Sequence, residues 1–402
     1  MNEWNNLKIE QICLKVTDGS HYSPAESNEG YFMASSKDML ENGFDYSDIK
    51  TIGKNDYTAL VKAGCKPEIG DILIIKDGNS YLKYIFSVRK EEEIVLLSSI
   101  AILKPNPKLV DSLFLQFLLR SPNIKEQLKN YVSGAAIPRI VLKDFKQAVL
   151  PIPPLPIQQK IAAILSAYDD LIENNLKQIK LLEEMAQITY EEWFVRFKFP
   201  NHENTPVDEV TGLPLGWKIE VLENHVELIK DSVLPSDLGN SIRYIGLEHM
   251  PRKSIVLSEY GDSDNVGSLK LVVKKGDVLF GKIRPYFHKV GVALDDCITS
   301  TDTIVLRARQ QELHGIILQT VYSNEFVASA VQSSNGTKMP RANWNVLKNH
   351  PIIIPEITVL NQFAEISHNL IFNISNLVNQ NQLLKEARDI LLPRLMTGKI
   401  AV

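Results

Sequence analysis

The chain has 402 residues, long for a single hydrophobic core, so two or more domains are expected. Apolar residues make up 44% and charged residues 23%, an ordinary soluble globular mix. A formal net charge of -4 argues against indiscriminate nucleic-acid binding, although a local basic face can hide inside that total. No window approaches eighteen consecutive apolar residues, so no membrane span is expected. The opening "MNEWNNLKIEQICLKV" is polar and does not read as a signal peptide. Cys13, Cys65 and Cys297 match neither a zinc spacing nor a disulfide framework, which suits a reducing cytoplasm.

In chain order, "GDILII" (Gly70 to Ile75) reads as a strand entered from a Gly-Asp turn, and "SSIAILKP" as a partly buried strand. "DSLFLQFLLRSPNIKEQLKNY" follows, with Leu113, Leu115, Phe117, Leu118, Ile124 and Leu128 near helical spacing. A junction runs from Ser133, with Gly134, Pro138 and Arg139, into a proline-bracketed strand. From Gln158 to Phe194 there is neither proline nor glycine. Ile161, Leu165, Tyr168, Ile172, Ile179, Leu182 and Ala186 form a stripe at three-to-four spacing, which predicts a long amphipathic helix with coiled-coil potential. Asn175 falls inside the stripe, where a polar residue sets register. Arg196 to Trp217 holds three prolines and little periodicity and reads as a linker.

The second half repeats the first. "GDVLFGKI" (Gly276 to Ile283), "STDTIVLRA" and "HGIILQTVYSNEFVASAV" take the same roles, and a second junction holds Gly336, Pro340 and Arg341. Pro138 and Pro340, and Arg139 and Arg341, are 202 residues apart. The two Gly-Asp turns are 206 apart, and Trp4 with Trp217 and Tyr31 with Tyr244 are 213 apart. A shift that drifts slowly is what loop insertions produce, so the chain reads as a duplicated domain pair. From Asn361 to Leu392 a second stripe of Phe363, Ile366, Leu370, Ile374, Leu377, Leu384 and Leu391 predicts a second long helix, with Pro393 marking a break or kink.

Catalytic patterns are missing. There is no P-loop, no GxSxG and no glycine-rich cofactor loop. His202-Glu203 lacks the downstream histidine of a metalloprotease and reads as a plain linker pair. Glu183-Glu184 and Glu191-Glu192 read as solvated helix flanks. "PIPP" at Pro151 lacks the Asn/Asp-Pro-Pro-aromatic pattern of an amino-methyltransferase. No cofactor and no metal is therefore expected. The positive signal is basic and aromatic. Lys270, Lys274, Lys275, Lys282, Arg284 and Lys289 fall in twenty residues, interleaved with Tyr286, Phe287 and His288. Lys76, Asn79, Tyr81, Lys83, Tyr84 and Arg89 occupy the equivalent stretch of the first half. Lysines meet phosphates, whereas arginine and asparagine can take base edges bidentately. Lys76, Asn79, Tyr81, Lys83, Arg139, Lys282, Arg284, His288, Lys289, Lys338 and Arg341 are the candidate DNA-binding residues.

Several stretches resemble the DNA-specificity subunit of type I restriction-modification enzymes. "EEWFVRFKFP" (Glu191 to Pro200) with "GLPLGWKIEVL" (Gly212 to Leu222) is similar to that family's central region. "LLKEARDILLPRLMTGKI" (Leu383 to Ile400) is similar to its C-terminal signature, with "LMTGK" in place of a more usual serine form. "PIPPLPIQQKIAAIL" and "IIIPEITVLNQFAEI" resemble its two domain-to-helix transitions. The resemblance implies an α+β architecture of two similar target recognition domains joined by two long antiparallel helices forming a coiled-coil spacer, with internal pseudo-two-fold symmetry. The expected divisions are residues 1–157, the helix 158–195, the linker 196–216, the second domain 217–360, and the helix and tail 361–402. It further implies a non-catalytic subunit that reads a split double-stranded DNA target and recruits two methyltransferase subunits and restriction/motor subunits. A two-globule, rod-like protein-binding scaffold without DNA specificity is the alternative.

Overall fold

The structure is a computed structural model that describes residues 4–134, 138–234, 237, 242–262, 266–334, 339–400 and 402. Gly336 and Lys338 lie outside the described residues. The chain packs as two compact units, Met1–Ile172 with Leu383–Val402, and Glu173–Gln382.

In the first unit an antiparallel four-stranded sheet has the order Cys13–Asp18, Ile100–Pro105, Ile72–Ile75, Ile85–Ser87. A second sheet places Tyr31–Ala34 between antiparallel Lys50–Ile52 and parallel Ile94–Leu96. Asn5–Lys8 pairs antiparallel with Val149–Ile152. The second unit has the same order with additions at the edges. Its first sheet runs Val226–Leu228, Thr303–Ala308, Val278–Gly281, Val290–Ala293, Val256–Leu257. Its second keeps the antiparallel–parallel arrangement around Arg243–Ile245, flanked by Gly261–Asp262 and Cys297–Ser300. Lys218–Val221 pairs antiparallel with Pro351–Ile354. The duplication read from drifting shifts is therefore a duplication of strand order.

The Gly-Asp turns explain how the central strand of each first sheet starts. Gly70 and Gly276 have φ of 91° and 90°, and Asp71 N–H and Asp277 N–H donate to the carbonyls of Glu68 and Lys274 at 3.0 Å. That is a type II turn, whose third position needs the left-handed region that glycine enters freely. Each following aspartate is buried and accepts a backbone N–H of its own turn. The helical run read over residues 111–131 is two helices, Ser112–Arg120 and Pro122–Lys129, and its counterpart is His314–Tyr322 and Asn324–Gln332. The breaks fall at Ser121 and Ser323, both in extended backbone at the N-cap of the second helix.

The long helices are Leu155–Tyr190, continued by a π-helical turn at Glu191–Val195, and Ile357–Met396. The first starts three residues before the expected Gln158, because Pro156 in a first turn has no helical N–H to lose. The second passes through Pro393 instead of breaking there. Only one turn remains beyond it, and Leu395 and Met396 are buried in the first unit's core, which offsets the lost hydrogen bond. The helix ends in a Schellman motif, with Gly398 at φ 65°, its N–H on the Leu395 carbonyl and the Lys399 N–H on that of Arg394.

Both apolar stripes are buried within the units. In the first, Ile161 and Leu165 share a core with Phe114, Phe117, Leu392 and Leu395. Ile172 is buried, and Tyr168 and Leu384 are half-buried. In the second, Ile179, Phe363 and Ile374 are core residues against which Leu182, Ile366 and Leu377 pack, and Leu370 is also buried. The helical segments within each unit run antiparallel. In the second unit Asn175 donates to Asn381 Oδ1 at 2.9 Å, while Trp193 and Phe194 pack on Phe363. Asn175 thus finds a buried amide of its own kind, the pairing that fixes register. Arg196–Trp217 is not a bare linker. Trp217 packs against the rings of Phe194, Phe197 and Phe199, and Asp208 closes a turn on the N–H groups of Val210 and Thr211.

One ionic network crosses the first unit. Asp169, 1% exposed, accepts from Arg120 at 3.1 Å and Arg388 at 2.6 Å, and Arg388 also reaches Glu41 at 2.7 Å. Burial opposes the Glu41 carboxylate, but Arg388 and Arg120 outweigh it and hold its pKa below the usual value. Asp169→Ala leaves two inward guanidiniums without their shared anion, and a loss of about 3–5 kcal/mol is expected. Hydrogen exchange across residues 155–172 measures it; unchanged protection there would assign the network no structural weight.

Candidate nucleic-acid interface

The twice-used Pro-Arg turn is built by one backbone pattern. In the first unit Gly78 N–H donates to the Pro138 carbonyl, Ile140 N–H to that of Lys76, and Lys76 N–H to that of Ser99, at 2.9, 2.9 and 3.0 Å. In the second, Arg284 N–H donates to Pro340, Ala342 to Lys282, and Lys282 to Asp302, at 2.8, 2.9 and 2.8 Å. The loops that follow are alike as well. Gly78 and Leu82 have φ of 86° and 58°, and Arg284 and His288 both have 51°. Tyr81 N–H and Phe287 N–H each close a turn on the first residue of their loop. So "GNSYL" and "RPYFH" adopt one shape. Arg284 stands where the first half uses glycine, in a region that costs a side-chain-bearing residue roughly 1–2 kcal/mol.

The side chains read as DNA-facing separate into those spent inside the protein and those presented. Lys76 is spent: it is buried and paired with Asp18 at 3.0 Å and Asp77 at 3.5 Å. His288 is buried, bonded through Nε2 to the Tyr322 carbonyl at 2.7 Å, and burial holds its pKa low. Lys289 donates to the Leu247 carbonyl, and Lys270 is buried on Ser268. Tyr81 packs against the first core. A cation count along the sequence does not distinguish these from surface charges. Lys282 is intermediate: it donates to the Thr301 carbonyl at 2.6 Å, and burial lowers its pKa.

Asn79, Lys83, Arg139, Arg284 and Arg341 are exposed. Arg139 grips Asp77 with two nitrogens at 3.1 and 3.4 Å, and Arg341 lies 3.6 Å from Asp302. Lys83 sits over the Tyr84 ring. An open cleft of about 870 Å³ beside the second loop is lined by Lys230, Lys282, Thr301, Arg341, Asn343 and Trp344. Among the described residues no group of three or more His, Cys, Asp or Glu is placed to hold a metal ion. Cys13 and Cys297 are buried, which pushes both thiols up to about 12.

Two residues escaped the sequence reading. Glu183 is no solvated flank. Its Oε1 accepts from Ser254 Oγ at 2.6 Å and Ile255 N–H at 2.7 Å, and burial raises its pKa. Arg252, just before that pinned segment, lies over the Phe287 ring of the loop. The helical pattern hides the first, and distance along the chain hides the second.

Two lobes of one α+β plan each carry a cation-bearing loop on a shared backbone frame. The sequence model of the type I restriction modification DNA specificity domain matches residues 1–184. The MjaIX type I restriction enzyme specificity subunit of Methanocaldococcus jannaschii is 28% identical over 310 residues, covering 73% of this chain and 70% of its own. The MjaVIII specificity subunit of the same organism is 24% identical over 100% of this chain and 93% of its own. The HindI specificity subunit of Haemophilus influenzae is 23% identical across 100% of both. The crystal structure of the S subunit of a type I restriction-modification system from M. genitalium shares the fold, with a TM-score of 0.57, 14% identity and coverage of 98% and 96%. Over its whole length the chain is similar to DNA-specificity subunits of type I restriction-modification enzymes.

The raised pKa of Glu183 gives a pH test. Its folded form holds a proton more tightly than the unfolded chain. Its contribution is therefore largest below the ordinary carboxylate value of about 4.3 and declines as pH rises through the higher folded value. Glu183→Gln keeps an acceptor for Ser254 and Ile255 and should flatten that decline in a pH series of melting curves. Glu183→Ala should instead speed hydrogen exchange at Ile255; equal exchange in both variants would show that the carboxylate does not hold this segment.

Proposed function

We propose that this chain reads a split double-stranded DNA target, one half-site per recognition domain, and itself performs no catalysis. Residues 1–157 and 217–360 are the two reading domains, and the long helices with the C-terminal tail are assembly elements. The single observation that carries the reading is the loop built twice on one backbone frame with different side chains. A shared frame with divergent tips suits two domains that read different bases. Asn79, Lys83 and Arg139 in the first half and Lys282, Arg284 and Arg341 in the second are its DNA-facing residues. Lys338 is a further candidate from the sequence alone and lies outside the described residues. Arg284 reads, and Lys282 with Arg341 serves phosphates beside the cleft.

The partners are two adenine methyltransferase subunits and, for cleavage, ATP-dependent motor-nuclease subunits. Their docking surface is a second apolar row on the first long helix. On the stretch that belongs to the second unit, Leu181, Met185 and Ile188 recur at separations of four and three, offset from the buried seam, and all are exposed. Leu181 and Ile188 are 64% and 60% exposed, and apolar residues this open in register point to a protein partner. The working compartment is the cytoplasm; among the described residues no helix is long and apolar enough to cross a membrane.

The reading test is a titration of the chain, assembled with its methyltransferase subunits, against half-site variants at two salt concentrations. Arg284→Gly should relax preference in one half of the target only, while stabilising the chain by about 1 kcal/mol through relief of the left-handed backbone. Equal weakening on every DNA would make Arg284 a positioning residue. A chain that assembles with methyltransferase subunits but selects no DNA would favour the scaffold. Leu181→Glu with Ile188→Glu should abolish co-purification of the methyltransferase subunits and leave circular dichroism unchanged. Retained assembly would place the docking surface elsewhere.

A further inference from the structure

We propose that Arg252 is a second base-reading arginine of the second domain, held on Phe287 so that its guanidinium takes the O6/N7 edge of a guanine in duplex DNA. The inference rests on the DNA-reading function proposed above, and it assigns a residue and a chemistry that the loop sequence does not indicate. The Arg252 guanidinium carbon lies 4.1 Å from the Phe287 ring centroid, and that of Arg284 lies 5.9 Å from the same centroid. Tyr286 packs edge-on against Phe287 at 4.8 Å and is itself exposed. A guanidinium resting on an aromatic face is fixed in tilt, while its N–H donors stay in the plane and point away from the ring. Much of the rotamer entropy that a free arginine loses on binding is thus removed in advance.

The donors are also unspent. Arg307, Arg243 and Arg341 of the same unit lie on Asp277, Asp295 and Asp302. Among the described residues, neither Arg252 nor Arg284 is paired with a carboxylate.

The backbone beneath Arg252 is pinned on the side that faces the loop. Lys253 N–H donates to the His288 carbonyl at 3.0 Å, with Lys253 held at φ 52°. Ser254 and Ile255 are then fixed by Glu183. His288, whose ring is tied to the Tyr322 carbonyl, closes the far end of the same loop. Arg252 and the loop are therefore one rigid body, although they are far apart in sequence.

The first half shows that the scaffold does not require an arginine here. In each half a one-turn 3₁₀ helix, Ser36–Asp38 or Leu247–His249, leads into a buried methionine, Met39 or Met250. Two residues later the first half has Glu41, bound to Arg388 at 2.7 Å, and the second has Arg252 on Phe287. The position changes the sign of its charge while the turn before it is kept. A rigidly presented position whose side chain the fold leaves free suits sequence reading better than packing. A lysine would meet a phosphate as well, whereas the stacked planar fork matches a guanine edge.

The experiment uses the full chain assembled with its methyltransferase subunits, and a randomised duplex selection first identifies the bipartite target. Arg252→Ala should lower discrimination at one G·C pair of one half-site on the order of 10- to 100-fold, leaving the other half-site and the salt slope unchanged. Arg252→Lys keeps the charge but not the fork and should lose the same discrimination. Phe287→Leu should lose part of it. A uniform weakening on all duplexes with the salt slope reduced by about 0.9 would make Arg252 a phosphate contact and overturn the proposal. So would unchanged discrimination in Arg252→Ala beside a relaxed Arg284→Gly, which would leave the DNA-reading function standing. Failure of the wild-type complex to select any duplex sequence would overturn both.

Discussion

A helix of 36 or 40 residues with one apolar stripe does not persist in water on its own propensity, so each long helix must bury that stripe against something. Every other feature of the chain is arranged around this requirement. Each compact unit draws on part of both helices, and the first unit is assembled from two separate stretches of sequence. Ile161 and Leu165 share a core with Leu392 and Leu395, and Ile179 shares one with Phe363 and Ile374. Apolar contacts of this kind tolerate sliding by a turn, whereas the polar groups set into them do not. Asn175 meets Asn381, and Asp169 meets Arg120 and Arg388, and a shift of either helix would leave these groups buried and unpaired. The register of the helices is held by a few polar atoms whose misplacement is costly.

The same helices reach the surface segments beside the two loops. Glu183 accepts the N–H of Ile255 and the hydroxyl of Ser254, which fixes the segment carrying Arg252 and Lys253. In the first unit Arg120 and Arg388 do the equivalent work on Glu41, with Arg120 also bonded to the Asn42 side chain at 2.7 Å. Both units tie the same turn to a long helix through a charged side chain, Glu183 in one and Arg388 in the other. Such contacts keep a surface segment from wandering, so ordering it on any partner costs less.

Local patterns were legible and partnerships were not. The Gly-Asp turns, the strands after them and the two stripes rest on spacing within a few residues, so they can be read directly. Asn175 could be placed in the stripe, but nothing near it pointed to Asn381. The helix ends drifted because Pro156 and Pro393 sit where a proline is tolerated, and only the burial of Leu395 and Met396 explains the latter. Arg196–Trp217 lacks periodicity because its order comes from aromatic packing around Trp217. Among the candidate cations, Lys76 and His288 look no different in sequence from Arg284. What separates them is a carboxylate from Asp18 and a carbonyl from Tyr322, both remote along the chain.

How one frame can carry two different sets of side chains follows from where its hydrogen bonds lie. The bonds from Gly78 to Pro138 and from Ile140 to Lys76, and their counterparts from Arg284 to Pro340 and from Ala342 to Lys282, all join backbone to backbone. They place almost no demand on side chains, so Asn79 and Ser80 can face Pro285 and Tyr286 across the duplication without disturbing either loop. The exceptions are the positions at positive φ. Gly78 meets that condition without strain, whereas Arg284 meets it at a cost that the rest of the frame must offset. A residue kept in a strained conformation by an otherwise indifferent scaffold is one whose side chain matters more than its backbone. Arg284 is strained and exposed, and its counterpart is a glycine. At this position the second half commits a guanidinium to solvent at a backbone cost that the glycine of the first half does not bear.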